Sequence, residues 1–156
     1  MVNLKTQIKA LEIHTGMTNK NLYFWLKSAD SKMTKNDWQP LFDLIPEIEN
    51  TTQFGKMGGG KEKNGVFHMP FWIESPVVSE FRELAHKLLI IKNFDWQSWE
   101  EGRKILTNPS FDFNTVDLET KRRLITLLVR SDRFNEGTLI SAFESGVILR
   151  ILKAMR

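Results

Sequence analysis

DLETKRRLITLLVRSDRFNEGTLISAFESGVILRILKAMR, residues 117–156, decides the fold. Asp117 stands where a helix N-cap is expected, and Leu118, Leu124, Ile125, Leu127 and Leu128 follow it closely enough to bury more than one helical face. The spacing predicts a helix through about Val129, lying between two neighbours. Further on, Leu139, Ile140, Phe143, Val147, Ile148, Ile151 and Leu152 form a second helical stripe. Gly146 interrupts that stripe at a cost of about 1 kcal/mol in a continuous helix, so the chain either kinks there or joins two short helices. Between the stripes lies Arg130-Ser131-Asp132-Arg133-Phe134-Asn135-Glu136-Gly137, where four charges and a glycine are compressed against apolar segments.

Working outward, Ser75-Pro76 pairs a hydroxyl N-cap with proline at the first helical position. Val77, Val78, Phe81, Leu84, Ala85, Leu88 and Leu89 then predict a central core helix ending near Asn93. Asp95 is the expected cap of the next helix, with Trp96, Trp99 and Leu106 on its buried side. Thr34 is the expected cap of a helix marked by Trp38, Leu41, Phe42 and Ile45, which Pro46 ends or kinks. Residues 107–115 read as a loop with Phe111 and Phe113 tucked inward. Five glycines fall within residues 54–65, and this stretch is expected to be a solvated connection between two short strands, or a flap. Val66 to Ile73 is apolar, aromatic and broken by Pro70, as suits an edge strand or an extended strip packed on helices. The expectation is a mainly α chain of about six helices with one short β-hairpin or extended strip around residues 54–73. Residues 1–32, with Leu4, Ile8, Leu11, Leu22, Trp25 and Leu26 at helical spacing, are expected to form an N-terminal helical arm on a single domain at 33–156.

The composition excludes several classes. With 41% hydrophobic and 26% charged residues, the 156-residue chain suits a folded soluble domain. Cysteine is absent, which rules out disulfides, a thiol nucleophile and cysteine-based metal sites. No apolar run approaches a membrane span and no secretory leader is evident, so the expectation is a cytoplasmic protein without membrane contact. The net charge of +3 is scattered, and no helix shows the basic face of a groove reader, which argues against specific nucleic-acid binding.

The candidates for chemistry are few. Gly60-Lys61 could cradle a phosphate, but Glu62 stands where a phosphate-binding loop needs Ser or Thr. His68 is a candidate base or ligand, although a lone histidine in an apolar run is more often a hydrogen-bonded packing residue. No metal-ligand spacing and no cofactor fingerprint is present. Trp72 and Trp96 could stack a ring, with core packing the commoner use. In the charged junction, Asp132 is placed to cap the last helix while Arg133 pairs with Glu136 or Glu144, a purely architectural role.

Phe94-Asp95-Trp96-x-x-Trp99, Leu127-Leu128-x-Arg130-x-Asp132-Arg133-Phe134-x-Glu136-Gly137-x-Leu139 and Phe143-Glu144-Ser145-Gly146 resemble the bacterial domain-of-unknown-function family 6508. The resemblance covers roughly residues 38–154, and the Met69-Pro70 strip before a serine-capped helix is similar as well. The resemblance implies boundaries and a fold, and no activity. In that family a cysteine often stands at the place of Asn135, so the resemblance implies no thiol chemistry for this chain.

Three functions are weighed. The first is non-catalytic binding of an anionic ligand, nucleotide-like or carboxylate, by Arg130 and Arg133, with Trp72 or Trp96 stacking and Lys61 closing over it. The second is a protein-interaction or regulatory protein using aromatic surface, through a partner protein or a homodimer. The third, ranked lower, is a hydrolase or transferase using Asp132, Glu136, Glu144 or His68 as acid or base.

Overall fold

The structure, a computed structural model, describes residues 33–156. The expected N-terminal arm over residues 1–32 lies outside the described residues. In chain order these are a 3-10 turn Lys35–Trp38, α1 Gln39–Phe42, α2 Ile45–Asn50, β1 Gly55–Lys61, β2 Phe67–Glu74, α3 Pro76–Lys87 and α4 Glu100–Thr107. A 3-10 turn Phe113–Thr115, α5 Leu118–Ser131, α6 Thr138–Glu144 and α7 Val147–Met155 complete them. The mainly α expectation with one hairpin holds.

Helix α5 occupies the centre because almost every turn of it is apolar. Leu124, Ile125, Leu127, Leu128 and Val129 are all buried, and α4, α6 and α7 pack around it. The Asp117 carboxylate accepts from the Thr120 amide at 2.7 Å, capping the orphan donors of its first turn. These hydrogen bonds, first from the Thr120 side chain and then from its amide, hold the Asp117 carboxyl below its ordinary range. Buried polar groups on α5 are each tied to backbone elsewhere: Lys121 donates to Ala154 O at 2.9 Å, and Thr126 Oγ1 accepts from Lys92 N at 2.9 Å. Phe81 of α3 meets Phe143 of α6 edge-on at 5.2 Å, and Phe54 lies on the same ring at 5.2 Å. Trp38, fully buried, donates from Nε1 to Leu88 O at 3.2 Å beneath the Arg122 guanidinium.

Several boundaries differ from expectation, each for a local reason. The helix expected from Thr34 is a 3-10 turn and two short helices, broken at Asp43–Leu44 because Pro40 and Pro46 each occupy a first turn. Helix α3 stops at Lys87, short of Asn93, where Leu89 takes a left-handed φ of 55° and its carbonyl receives Arg122. Asp95 does not cap α4, which begins at Glu100. Its carboxylate binds the Ser98 hydroxyl at 2.5 Å in the preceding turn. Phe113 is buried as expected, while Phe111 is only half-buried against it. The C-terminal stripe is two short helices meeting at Gly146, one of the two arrangements expected there, and the φ of that glycine is 75°.

The glycine stretch is the largest correction. It is not a connection but strand β1 itself, antiparallel to β2 from Gly55 opposite Glu74 to Lys61 opposite Phe67, with an irregularity between Gly58 and Gly60. Glycine weakens an isolated strand, but here the partner supplies the packing. A Cβ on Gly58 would fall 2.8 Å from Phe71 and 2.9 Å from Ile73, so those side chains lie across the bare backbone. The connection proper is the short turn around Asn64 and Gly65, closed by Glu62 N to Val66 O at 2.8 Å. Among the described residues the sheet has two strands, and Phe67 to Phe71 of the strip expected to be packed on helices are exposed.

Nothing would meet a Cβ at Gly146, so its only demand is the left-handed backbone. Gly146→Ala is therefore expected to cost roughly 1–2 kcal/mol by urea denaturation, with the denaturant slope unchanged. A neutral result would show that α6 and α7 can merge into one helix.

Candidate functional site

The charged junction between α5 and α6 separates its acids from its bases. Helix α5 ends at Ser131, and the chain turns through Phe134 and Asn135, whose amides both return to Ser131 O. Asp132 Oδ1 accepts from the Gly137 amide at 3.1 Å and the Leu139 amide at 2.9 Å, filling the role expected of it as the cap of the last helical segment. Its Oδ2 accepts from Arg82 at 2.7 Å, and Arg82 also grips Glu74 at the end of β2. Glu136 turns the other way and accepts the Trp72 amide at 3.1 Å, holding the outer edge of β2. Gly137 has φ 93°, and a Cβ there would lie 2.5 Å from Trp72 Nε1. Backbone conformation and the indole above it both demand glycine.

The arginines of the junction are not used this way. The expected pairing of Arg133 with Glu136 or Glu144 is not found, and neither Arg130 nor Arg133 carries an ion pair among the described residues. Arg130 Nε is buried without a hydrogen-bond partner. Arg82, Arg122 and Arg123 also bury Nε, but each guanidinium lies within ion-pair distance of a carboxylate, Arg123 through Nε itself, whereas the Arg130 guanidinium meets none among the described residues. A third group joins them from α3. The His86 pKa is lowered by desolvation first and then by the charges of Arg130, Arg82 and Arg133. Four basic side chains from α3, α5 and the turn after it thus share one local field, and only Arg82 is neutralised by carboxylates.

The sequence candidates scatter around this junction. Phe134 is 77% exposed, yet its ring stacks on Trp96 at 5.9 Å, so an aromatic pair starts at the residue after Arg133. Trp72 lies on the Gly137 side instead, over a shallow concavity of about 400 Å³ lined by Asn135, Glu136, Gly137, Thr138 and Ser141. That hollow has a carboxylate and hydroxyls on its walls and no cation. Lys61 is at the opposite end of the hairpin from Trp72 and does not approach the arginines. His68 is exposed, not packed, and faces Glu62 at 3.2 Å. Glu144 is exposed at the last turn of α6. Among the described residues no three His, Asp or Glu side chains are grouped to hold a metal ion. No helix among them is long and apolar enough to cross a membrane.

Sequence reasoning missed Glu74, Arg82 and His86. Arg82 and His86 are four apart on α3 and share a face, a signal that was present. Which partners that face would meet depended on how α3 crosses α6.

Comparison with known proteins places this geometry in a family context. The sequence pattern of a family of unknown function (DUF6508) matches residues 33–156. No curated protein and no solved structure matches the chain.

Asp132 is half-buried and holds four segments together. Asp132→Ala should cost about 3 kcal/mol, and a double-mutant cycle with Arg82→Ala should show the two effects to be strongly non-additive. Simple additivity in thermal or chemical denaturation would mean that the two side chains act separately. His86 titrates below its unfolded value of 6.5, so between those two values the unfolded chain binds more protons. Stability should therefore fall as pH drops below about 6.5, and His86→Gln should reduce that slope.

Proposed function

The chain belongs to a family of unknown function, DUF6508, and we propose that its charged junction is a non-catalytic binding site for a small anion. The ligand groups are Arg130 and Arg133, with His86 as a third donor and the Trp96–Phe134 pair as an adjoining flat surface. The observation that carries the reading is the unpartnered guanidinium of Arg130, whose Nε is buried. A buried donor without an acceptor costs about 1–3 kcal/mol, and a bound oxyanion would remove that cost while meeting two further cations.

The same geometry weighs against acid–base catalysis at the junction. Asp132 accepts two amides and a guanidinium, and Glu136 accepts the amide of Trp72. Both carboxylates are engaged in holding backbone. Trp72 and Lys61 are not part of the proposed site, because one covers Gly137 and the other lies at the far end of the hairpin. A phosphate or carboxylate attached to a ring fits best, its oxygens on the guanidinia and its ring against Trp96 and Phe134.

Titration calorimetry with AMP, inorganic phosphate and sulfate tests this. AMP should bind more tightly than phosphate, and Arg130→Met or Arg133→Ala should each weaken binding by about ten-fold or more. Arg130→Met should leave stability unchanged or slightly raised, since it removes an unsatisfied buried donor; an architectural arginine would destabilise when removed. Sulfate keeps its charge between about pH 8 and pH 6, so tighter sulfate binding toward acid would report protonation of His86, and His86→Gln should abolish that trend. Absence of binding by all three anions overturns the reading.

A further inference from the structure

The methionines of β1 and β2 are placed quite unlike that of α7. Met155, in the last turn of α7, is wholly buried and fills the core, the ordinary use of a flexible thioether. Met57 of β1 and Met69 of β2 are instead 54% and 80% exposed. Neither thioether is spent on packing, and that of Met69 is the more open. Its neighbours along the strand leave it so, since Phe67 and Phe71 are themselves 66% and 45% exposed.

The backbone around both residues is held by bonds in which their side chains take no part. Met57 is opposite Trp72, whose amide donates to Glu136 at 3.1 Å. A Cβ on Gly59 would fall 2.4 Å from the Met69 carbonyl oxygen, so main chain lies against main chain at the change of register. The turn beyond is closed by Glu62 N to Val66 O at 2.8 Å, and the base of the hairpin by Ser75 N to Phe54 O at 2.9 Å. A change of polarity at either sulfur removes none of these bonds. The sequence adds a second point: the chain has six methionines and no cysteine. No thiol of its own therefore competes for an oxidant, and because a thioether does not titrate, access decides which sulfur reacts.

We propose that Met57 and Met69 form a reversible redox-modification site whose co-reactant is hydrogen peroxide. A sulfur lone pair attacks one peroxide oxygen and the O–O bond breaks. Sulfur gives up two electrons, and the departing hydroxide takes the proton from the oxygen now on sulfur, leaving a sulfoxide and water. In the reverse direction a sulfoxide reductase spends two thiols, which become a disulfide, and the oxygen leaves as water. Each cycle exchanges an apolar side chain for a polar one on the hairpin while the helical core stays closed. The same oxidation at Met155 would bury a sulfoxide dipole among apolar side chains, so it requires the chain to unfold first.

Graded hydrogen peroxide followed by peptide mapping tests this on the full chain. Met69 and Met57 should gain oxygen at least about ten-fold faster than Met155, with Met69 ahead, and the difference should vanish in urea. Conversion of the pair should leave the thermal midpoint unchanged and shorten retention on a phenyl column. The two methionine sulfoxide reductases, one for each sulfoxide epimer, should restore retention with dithiothreitol as reductant. Most of the retention shift should be absent from the double variant Met57→Leu, Met69→Leu, which keeps the apolar volume. Oxidation of Met155 at a rate close to that of Met69 overturns the proposal. So does a fall in the thermal midpoint on conversion of the pair, a retention shift that survives in the double variant, or a sulfoxide at either position that the reductases leave unrepaired.

Discussion

The Asp132 carboxylate is the constraint on which the arrangement depends. Its two oxygens receive the amides that open α6 and the guanidinium of Arg82, and Arg82 carries the connection on to Glu74. Four segments meet through one half-buried side chain: the end of β2, the middle of α3, the end of α5 and the start of α6. An uncompensated charge at that position would be expensive to bury, so the network forms as a whole or not at all. That all-or-none character fixes the angle at which α6 leaves α5, and with it the seat of Phe143 against Phe54 and Phe81.

This constraint also explains why Arg130 and Arg133 meet no carboxylate among the described residues. Opposite charges three apart on a helix, as Arg133 and Glu136 are, pair when the helix continues, but α5 ends at Ser131 and Glu136 is carried away to the β2 edge. Arg130 and Arg133 are left close enough to His86 for their charges to lower its pKa. Acids that hold the backbone and cations that meet no carboxylate among the described residues are two halves of one decision by the chain, made where α5 ends. The hairpin follows from the same anchoring. Glu136 and Arg82 secure its base, while the side chains of Phe67 to Phe71 stay exposed.

Much of the fold was legible from the residues. The Asp117 cap, the Ser75-Pro76 start, the many-sided burial of α5 and the break at Gly146 follow from capping, periodicity and the left-handed backbone that glycine accepts. The glycine stretch was misread because strand propensity is a property of neighbours: Phe71 and Ile73 supply the packing that Gly58 lacks. The extent of α3 was misread because Leu88 and Leu89 continue its apolar stripe, whereas Trp38 and Arg122 claim the carbonyls of those two residues and end the helix.

By itself the sequence determined the mainly α class, the Asp117 cap, and the composition of the charged junction, because these depend on residues within a few positions of one another. Family membership was legible in the same local pattern. Tertiary structure alone decided which charges are spent and which are free. Arg82 and Asp132 are fifty positions apart and Trp72 and Glu136 sixty-four, and no periodicity reports a contact across such a span. Where α3 crosses the junction determines that Asp132 finds Arg82, and that choice leaves Arg130 and Arg133 beside His86 without an ion pair among the described residues.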